Sequence, residues 1–246
     1  NTAPCIFLSL LSLVKSGASD DDVVVVLPSD HVINDKKGFQ DTVMKAKEVA
    51  LMSQSIVTIG ISPNRPHTGY GYIHRGENVG DLGYRVKSFE EKPDLIKAQK
   101  YLETGEYFWN AGMFIAPVKV LLDEFAAHAK SIFQFKDELS SSLGNAQLVS
   151  KCYEKLVEDS IDYAVMEKSS NICVVPAEFD WSDLGSWDAI EDVLEGDTQQ
   201  NILLNGDSIT EINSQGNIIY AGDKKVSLID INNLVVVCEG DHLMIL

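Results

Sequence analysis

Three motifs contain the side chains best suited to chemistry. They are centred on Asp30, on the adjacent pair Glu91 and Lys92, and on Asp183 within the polar and aromatic run of residues 181–187. A carboxylate can hold a metal ion that meets phosphate oxygens. An acid can accept hydrogen bonds from hydroxyls, and a lysine offers a positive charge to a phosphate. These residue types are compatible with a ligand that carries phosphate and hydroxyl groups.

Each motif also has a structural interpretation that the residues alone leave open. Asp30 fits a cap of the following loop as well as it fits a metal ligand. Either Ser182 or Asp183 fits the cap of a following helix. Taken in isolation, Glu91 and Lys92 favour an exposed charge pair before a helix.

Other positions are weaker candidates. Gly69 and Gly71 let the backbone approach a ligand closely. Asn110 either binds sugar hydroxyls or makes a turn, and in isolation the turn is favoured, just as His31 favours a structural role. The sequence has no G-x-G-x-x-G, P-loop or G-x-S-x-G motif and no paired nucleophile and base. The chemistry is therefore expected to rest on positioning and charge stabilisation without a covalent enzyme intermediate.

These motifs need a scaffold of alternating helices and strands. Residues 4–14 predict a buried helix, and residues 23–27 predict a buried parallel strand. Residues 39–50 have helical spacing, and residues 56–61 predict a second strand. The order helix, strand, helix, strand predicts a doubly wound α/β sheet, in which ligands bind beyond the carboxyl ends of the strands.

The rest of the chain changes character after about Gly196. Before that point, further strands are expected from Tyr72 and at residues 84–89, 113–116 and 172–175, with helices at residues 94–104, 146–157 and 161–168. Beyond it, short β-prone pieces occur at residues 202–204, 217–220, 226–229, 234–238 and 243–246. We therefore predict two domains, residues 1–196 and a small β-rich domain of stacked turns at residues 197–246.

Composition excludes several classes of partner. The 246 residues have a net charge of −17, which argues against nucleic acid and anionic membranes and implies that a phosphorylated ligand needs local cations. No apolar run approaches the roughly 18 residues of a membrane helix. The four cysteines are far apart, so a reduced, cytoplasmic location is expected.

The order of the motifs is more specific than any one of them. In sequence they are Asn-Thr-Ala-Pro at residues 1–4, Leu-Pro-Ser-Asp-His at 27–31, Thr-Gly-Tyr-Gly-Tyr-Ile at 68–73, Phe-Glu-Glu-Lys-Pro-Asp at 89–94, Trp-Asn-Ala-Gly-Met-Phe at 109–114, Ser-Ile-Asp-Tyr-Ala-Val-Met-Glu-Lys at 160–168 and Trp-Ser-Asp-Leu-Gly-Ser-Trp at 181–187. This series resembles the bacterial mannose-1-phosphate guanylyltransferases, closely over about residues 1–190.

The resemblance implies a fold, a reaction and site residues. The fold is a Rossmann-like nucleotidyltransferase sheet, followed by a β-rich tail resembling a left-handed β-helix. The reaction joins mannose 1-phosphate and GTP to give GDP-mannose and pyrophosphate, with Mg²⁺ as cofactor. The matching positions are Asp30 and Asp183 for the metal and catalysis, Gly71, Glu91, Lys92 and Asn110 for the sugar phosphate (Lys92 also for catalysis), and Asn1, Thr2, Ala3 and Asp30 for the nucleotide. Asp162 lies in a family motif without an assigned role.

The resemblance also gives expectations about what is missing. The family's glycine-rich signature loop and first strand belong before Asn1, so this chain alone is expected to be inactive. An exposed sheet edge is expected to follow, which a homodimer could cover. The rival functions are a pyrophosphorylase for another sugar 1-phosphate and a non-catalytic regulatory subunit of the same fold.

Overall fold

The computed structural model describes residues 1–191, 193–205 and 209–246, which form two compact units. The sheet unit comprises Asn1–Pro28 and Asp35–Phe179, and the tail unit comprises Ser29–Asn34 and Asp180–Leu246. The predicted domain boundary between residues 196 and 197 stays a prediction.

The sheet unit alternates helices and strands in its first part, as predicted. Its strands are β1 (Val23–Val26), β2 (Ile56–Ile61), β3 (Tyr72–Val79), β4 (Gly83–Glu90), β5 (Tyr107–Pro117) and β6 (Ile172–Pro176). Its α-helices are α1 (Thr2–Lys15), α2 (Lys36–Ser53), α3 (Leu95–Thr104), α4 (Val118–His128), α5 (Lys130–Phe133), α6 (Lys136–Ser142) and α7 (Ala146–Tyr153). A π-helix, Asp162–Met166, lies where residues 161–168 predicted an ordinary helix.

The six strands form one mixed sheet in the order β1-β5-β2-β6-β4-β3, and β5 also pairs with β3. Only β2 and β6 run parallel to each other, while the other strand pairs of this sheet are antiparallel. The two parallel strands are also its most buried ones, which fits their nearly continuous apolar sequences.

Helices cover both faces of the sheet. Phe7 of α1 and Phe125 of α4 belong to one buried cluster together with Phe114 of β5. Because side chains alternate along a strand, the buried Ile115 faces the opposite side, and α2 packs against β2, β5 and β6. The prediction of an α/β sheet wound on both faces is therefore confirmed.

The first strand differs from its prediction. β1 was expected to be a buried parallel strand, but it pairs antiparallel with β5 and lies at the edge of the sheet. Val25 is 39% exposed and Leu27 is 46% exposed. A run of valines indicates a strand but does not reveal whether neighbours lie on both sides of it, so the parallel assignment was wrong.

The fifth strand is longer than predicted. Residues 113–116 were expected to form a short strand, but β5 has eleven residues and contains Asn110 and Gly112. The register with β2 shifts between Thr58 and Gly60, and Gly112 adopts a left-handed φ of +67°. This bulge interrupts the strand pattern in the sequence, and it corrects the expectation that Asn110 makes a turn before the strand.

The tail unit consists of short strands in stacked turns. They are β7 (Ile202–Asn205), β8 (Ile209–Ile212), β9 (Ile218–Tyr220), β10 (Val226–Ile229), β11 (Val235–Glu239) and β12 (His242–Ile245). Five were predicted, and β8 was missed. Parallel pairing joins β7, β9 and β11 in one sheet and β8 and β10 in another. The handedness of a β-helix stays a prediction.

Candidate active site

Glu91 and Lys92 follow β4 and form an ion pair, with 3.6 Å between Lys92 Nζ and Glu91 Oε1. The Glu91 side chain is only 13% exposed, so the expectation of an exposed charge pair is wrong for the acid. Burial raises the pKa of Glu91, the nearby Lys92 opposes this increase, and Glu167 adds to it. Lys92 has a left-handed φ of +49°, and its N–H donates to the Tyr70 carbonyl at 3.2 Å.

Asn110 lies behind this pair at the bulge of β5. Its Oδ1 accepts hydrogen bonds from the Thr58 hydroxyl at 2.9 Å and from the Gly112 N–H at 3.1 Å. Its Nδ2 donates to Asp162 Oδ1 at 3.1 Å. Residues from β2, β5 and the π-helix therefore meet at one amide.

Asp162 bonds the Asn110 amide and also interacts electrostatically with Glu91 and Lys92. Burial, followed by the charge of Glu91, raises the pKa of Asp162 to about 6. Hydrogen bonds from its own backbone and from Asn110 oppose this increase, as does the charge of Lys92. The cluster therefore holds two carboxyl groups that partial burial makes less acidic, beside one lysine.

Gly71 leaves space that a side chain would fill. A Cβ atom at this position would lie 2.5 Å from Glu91 Oε2 and 3.4 Å from Asn110 Cβ. The Gly71 carbonyl also accepts a hydrogen bond from the Asn110 N–H at 2.8 Å. The structure thus brings together all four residues predicted for the sugar phosphate, and a side chain at Gly71 would displace the Glu91 carboxylate from its observed position.

The two candidate metal ligands lie in the tail unit, on segments that are joined directly. Val32 and Ser182 form an antiparallel bridge, with N–H to carbonyl distances of 2.8 and 3.1 Å. The Asp180 carboxylate accepts from the backbone N–H of Asn34 at 2.9 Å and from its side chain at 2.8 Å. The bridge gives Asp30 and Asp183 positions on adjacent chain segments although 153 positions separate them in the sequence.

His31, on the first of these segments, contacts the second segment through Trp181. Its Nδ1 accepts a hydrogen bond from Trp181 Nε1 at 3.0 Å, and the two rings meet edge to face. Because an indole nitrogen can only donate, the neutral imidazole must carry its proton on Nε2. Burial lowers the pKa of His31, and the charges of Asp30 and Asp183 both oppose that decrease.

Local hydrogen bonds bear on the structural alternatives for Asp30 and Asp183. Among the described residues, Asp30 accepts no hydrogen bond, so it does not cap the following loop. Asp183 Oδ1 accepts from the Gly185 N–H at 3.0 Å, and Ser182 Oγ accepts from the Leu184 N–H at 3.3 Å. These contacts form tight local turns.

The donor chemistry fits a Mg²⁺ ion that is shared with substrate. The described residues contain no group of three or more His, Cys, Asp or Glu side chains arranged to hold a metal ion. Mg²⁺ commonly takes one or two carboxylates and completes its shell with phosphate oxygens and water. Asp30 and Asp183, which both act electrostatically on His31, supply two carboxylates of the kind that such an ion takes.

The residues predicted for the nucleotide begin α1. Asn1 Oδ1 accepts from the Thr2 N–H at 2.8 Å and caps the helix. Thr2 Oγ1 accepts from the Ile161 N–H at 2.9 Å, while Ala3 is fully buried and its N–H donates to the Asp159 carbonyl. These contacts hold the helix start in place, and the nucleotide role stays a prediction.

Two residues that contact Glu91 or Asn110 were not predicted as site residues. Thr58 lies within the apolar strand 56–61, and a polar residue at such a position is a signal that a partner exists. Glu167, whose Oε1 accepts from the Glu91 N–H at 3.2 Å, lies in the motif at residues 160–168, but no role was predicted for it.

The α/β fold is that of the nucleotidyl transferases. A family model described as nucleotidyl transferase matches residues 1–200, and the chain belongs to this family. Its sheet unit accordingly has the family's Rossmann-like α/β fold. Nucleotidyltransferases of this kind generally use a divalent metal ion.

The chain is similar to several proteins named for mannose phosphates. It is 39% identical over 253 residues to the mannose-1-phosphate guanylyltransferase of Escherichia coli, a match that covers 100% of this chain and 53% of that protein. A Thermus thermophilus structure titled mannose-1-phosphate geranyltransferase has a TM-score of 0.86 at 32% identity, covering 100% of this chain and 70% of that one. A Helicobacter pylori structure titled mannose-6-phosphate isomerase has a TM-score of 0.64 at 34% identity, covering 74% and 70%.

The chain spans about half the length of the curated relatives that it matches. No helix among the described residues combines the length and the apolar character that crossing a membrane requires.

Proposed function

We propose that the full-length protein transfers GMP from GTP to mannose 1-phosphate, which gives GDP-mannose and pyrophosphate. The observation that carries the proposal is the bridge between Val32 and Ser182, because it places Asp30 and Asp183 on joined segments near His31. Family membership and the names of the relatives support the reaction class and the sugar.

The sheet-unit cluster is assigned to mannose 1-phosphate. Glu91 accepts hydrogen bonds from sugar hydroxyls, Asn110 donates to one, and Lys92 offers its charge to the phosphate. Gly71 leaves the space in which the Glu91 carboxylate stands. Partial burial of the cluster supports this assignment, since hydrogen bonds to charged groups are stronger away from water.

Mg²⁺ would be held by Asp30 and Asp183. The guanine side of the nucleotide is assigned to the start of the first helix, at Asn1, Thr2 and Ala3. When bound there, the ion would supply positive charge that offsets the charge of the reacting phosphates. An oxygen of the sugar phosphate attacks the α-phosphorus of GTP in line, and pyrophosphate leaves. The side chains named above orient the two substrates, and none of them forms a covalent bond.

A cytoplasmic homodimer stays a prediction.

A substrate competition experiment tests the proposal. The full-length protein is supplied with Mg²⁺, equal concentrations of GTP, UTP and dTTP, and either mannose 1-phosphate or glucose 1-phosphate. We expect GDP-mannose as the main product. A preference for UTP, dTTP or glucose 1-phosphate would favour the rival pyrophosphorylases, and no product with any pair would favour a regulatory subunit.

A further inference from the structure

The Asn110 side-chain amide forms hydrogen bonds with three residues. Its Oδ1 receives two hydrogen bonds, from Thr58 of β2 and from the backbone of Gly112, and one hydrogen of its Nδ2 is taken by Asp162. A primary amide has two acceptor sites and two donor hydrogens. Among the described residues, the second Nδ2 hydrogen has no partner.

We propose that Thr58 and Asp162 are positioning residues that fix the Asn110 amide and present its remaining N–H to a hydroxyl of the sugar phosphate. The inference rests on the proposed function, which assigns Asn110 to the sugar. Neither residue has a role in the sequence interpretation, which left Asp162 unassigned and did not single out Thr58.

Thr58 has no access to a ligand of its own. Its relative exposure is 0%, and its neighbours Val57 and Ile59 are also fully buried. A buried hydroxyl is costly unless it is hydrogen-bonded, and valine has nearly the same shape and suits a strand at least as well. The hydroxyl of Thr58 therefore acts on the site only through Asn110, to which it donates at 2.9 Å.

Asp162 fixes which way the amide faces. A hydroxyl can donate or accept, so Thr58 alone is compatible with either orientation of the amide. The Gly112 N–H can only donate and an ionised Asp162 can only accept. Together they require oxygen on the Gly112 side and nitrogen on the Asp162 side, which is the orientation observed.

Steady-state kinetics of the full-length protein test the proposal with paired variants. Thr58→Val and Asp162→Leu remove the two partners, while Thr58→Ser and Asp162→Asn each keep a group that can bond the amide. We expect the first two to raise the KM for mannose 1-phosphate about tenfold, the effect of losing one oriented hydrogen bond, and to leave the KM for GTP within about twofold. The conservative variants should restore most of the loss.

Two kinetic outcomes would overturn the inference. One is an unchanged KM for mannose 1-phosphate in Thr58→Val, and the other is an equal increase in the KM for both substrates, which indicates a general effect on the scaffold. Failure of the proposed function is distinct, because the wild-type protein would then not convert mannose 1-phosphate.

A second measurement does not depend on activity. In ¹⁵N-labelled protein, the side-chain amide signals of Asn110 should shift in Thr58→Val and in Asp162→Leu. Unchanged signals in both variants would contradict the hydrogen-bond network itself.

Discussion

Asp162 and Glu90 are carboxyl groups that respond in opposite ways to their surroundings. Burial and the nearby charge of Glu91 raise the pKa of Asp162 to about 6. Hydrogen bonds from Lys97 and Tyr101 lower the pKa of Glu90. The ionised form is therefore disfavoured by the fold at Asp162 and favoured at Glu90.

The Asp162→Asn variant should be more stable than the wild-type protein at neutral pH. The folded state holds the Asp162 proton up to a higher pH than the unfolded chain, whose pKa is about 3.9, so ionisation costs about 2–3 kcal/mol above pH 6. Asparagine keeps an acceptor for Asn110 and carries no charge. We expect an increase of about 1–3 kcal/mol in the free energy of unfolding at pH 7.5 that disappears as the pH falls from about 6 to about 4.

Urea denaturation at several pH values measures this difference, with Asp21→Asn as the control. Asp21 is exposed in the loop before β1, so its replacement removes the same charge without relieving burial. A less stable Asp162→Asn variant at pH 7.5 would contradict the view that the buried charge carries a cost.

At the scale of elements, the turn that carries Glu91 and Lys92 is fixed at both ends. Glu90 accepts hydrogen bonds from Lys97 at 2.6 Å and from Tyr101 at 2.5 Å, which joins the end of β4 to α3. Asp94 caps α3 by accepting from the Lys97 N–H at 2.9 Å. The same helix therefore holds the residues on either side of Glu91 and Lys92.

The Tyr101→Phe variant tests this anchor. It removes the hydrogen bond to Glu90 but keeps the ring, which stacks on Tyr107 with 3.9 Å between centroids. We expect a loss of about 1 kcal/mol in the free energy of unfolding, the usual net value of one such hydrogen bond. Tyr163→Phe is the control, because Tyr163 is 48% exposed. Equal effects of the two substitutions on stability would show that the hydrogen bond from Tyr101 to Glu90 does not stabilise the protein.

In the tail unit, asparagines connect successive turns. Asn217 is fully buried and donates to Asn201 Oδ1 at 2.8 Å and to the Ile231 carbonyl at 2.9 Å. It also accepts from the Leu234 N–H at 3.1 Å. Because Asn201 lies 16 positions earlier, this contact reveals a spacing that sequence analysis did not recognise as a repeat.

The Asn217→Ala variant should destabilise the tail unit by about 3 kcal/mol, since it leaves several buried polar groups without partners. Hydrogen exchange of amides in the tail strands, compared with that in the sheet unit, measures this change. The exposed Gln215→Ala is the matched control. Wild-type exchange rates in Asn217→Ala would show that the asparagine contacts do not stabilise the turns.

At the scale of the whole molecule, the sequence predicts where strands lie better than it predicts which strands pair with each other. Residues 56–61 and 23–27 are both short apolar runs, yet the first is a fully paired inner strand and the second an edge strand. Hydrophobicity is a property of the segment itself, whereas pairing depends on residues far along the chain. This is why most strands were predicted while the direction and burial of β1 were not.

The same limit applies to the candidate site. The motifs predicted Glu91, Lys92, Gly71 and Asn110 together, and the structure brings them together. Thr58 and Asp162 each lie 52 positions from Asn110, and only the three-dimensional arrangement reveals their contacts. Asp162 lies in a recognisable motif, but the motif does not reveal which residue Asp162 contacts.

The most direct test of the account measures GDP-mannose formation from GTP and mannose 1-phosphate with Mg²⁺ by the full-length protein and by Asp30→Asn and Asp183→Asn. Asp241→Asn, an exposed carboxylate of the tail unit, is the control. Because each proposed metal ligand stabilises charge on the reacting phosphates, we predict that its loss lowers kcat/KM at least about 100-fold, with the control near the wild-type value. Activity within about threefold of wild type in either Asp30→Asn or Asp183→Asn would contradict the central claim.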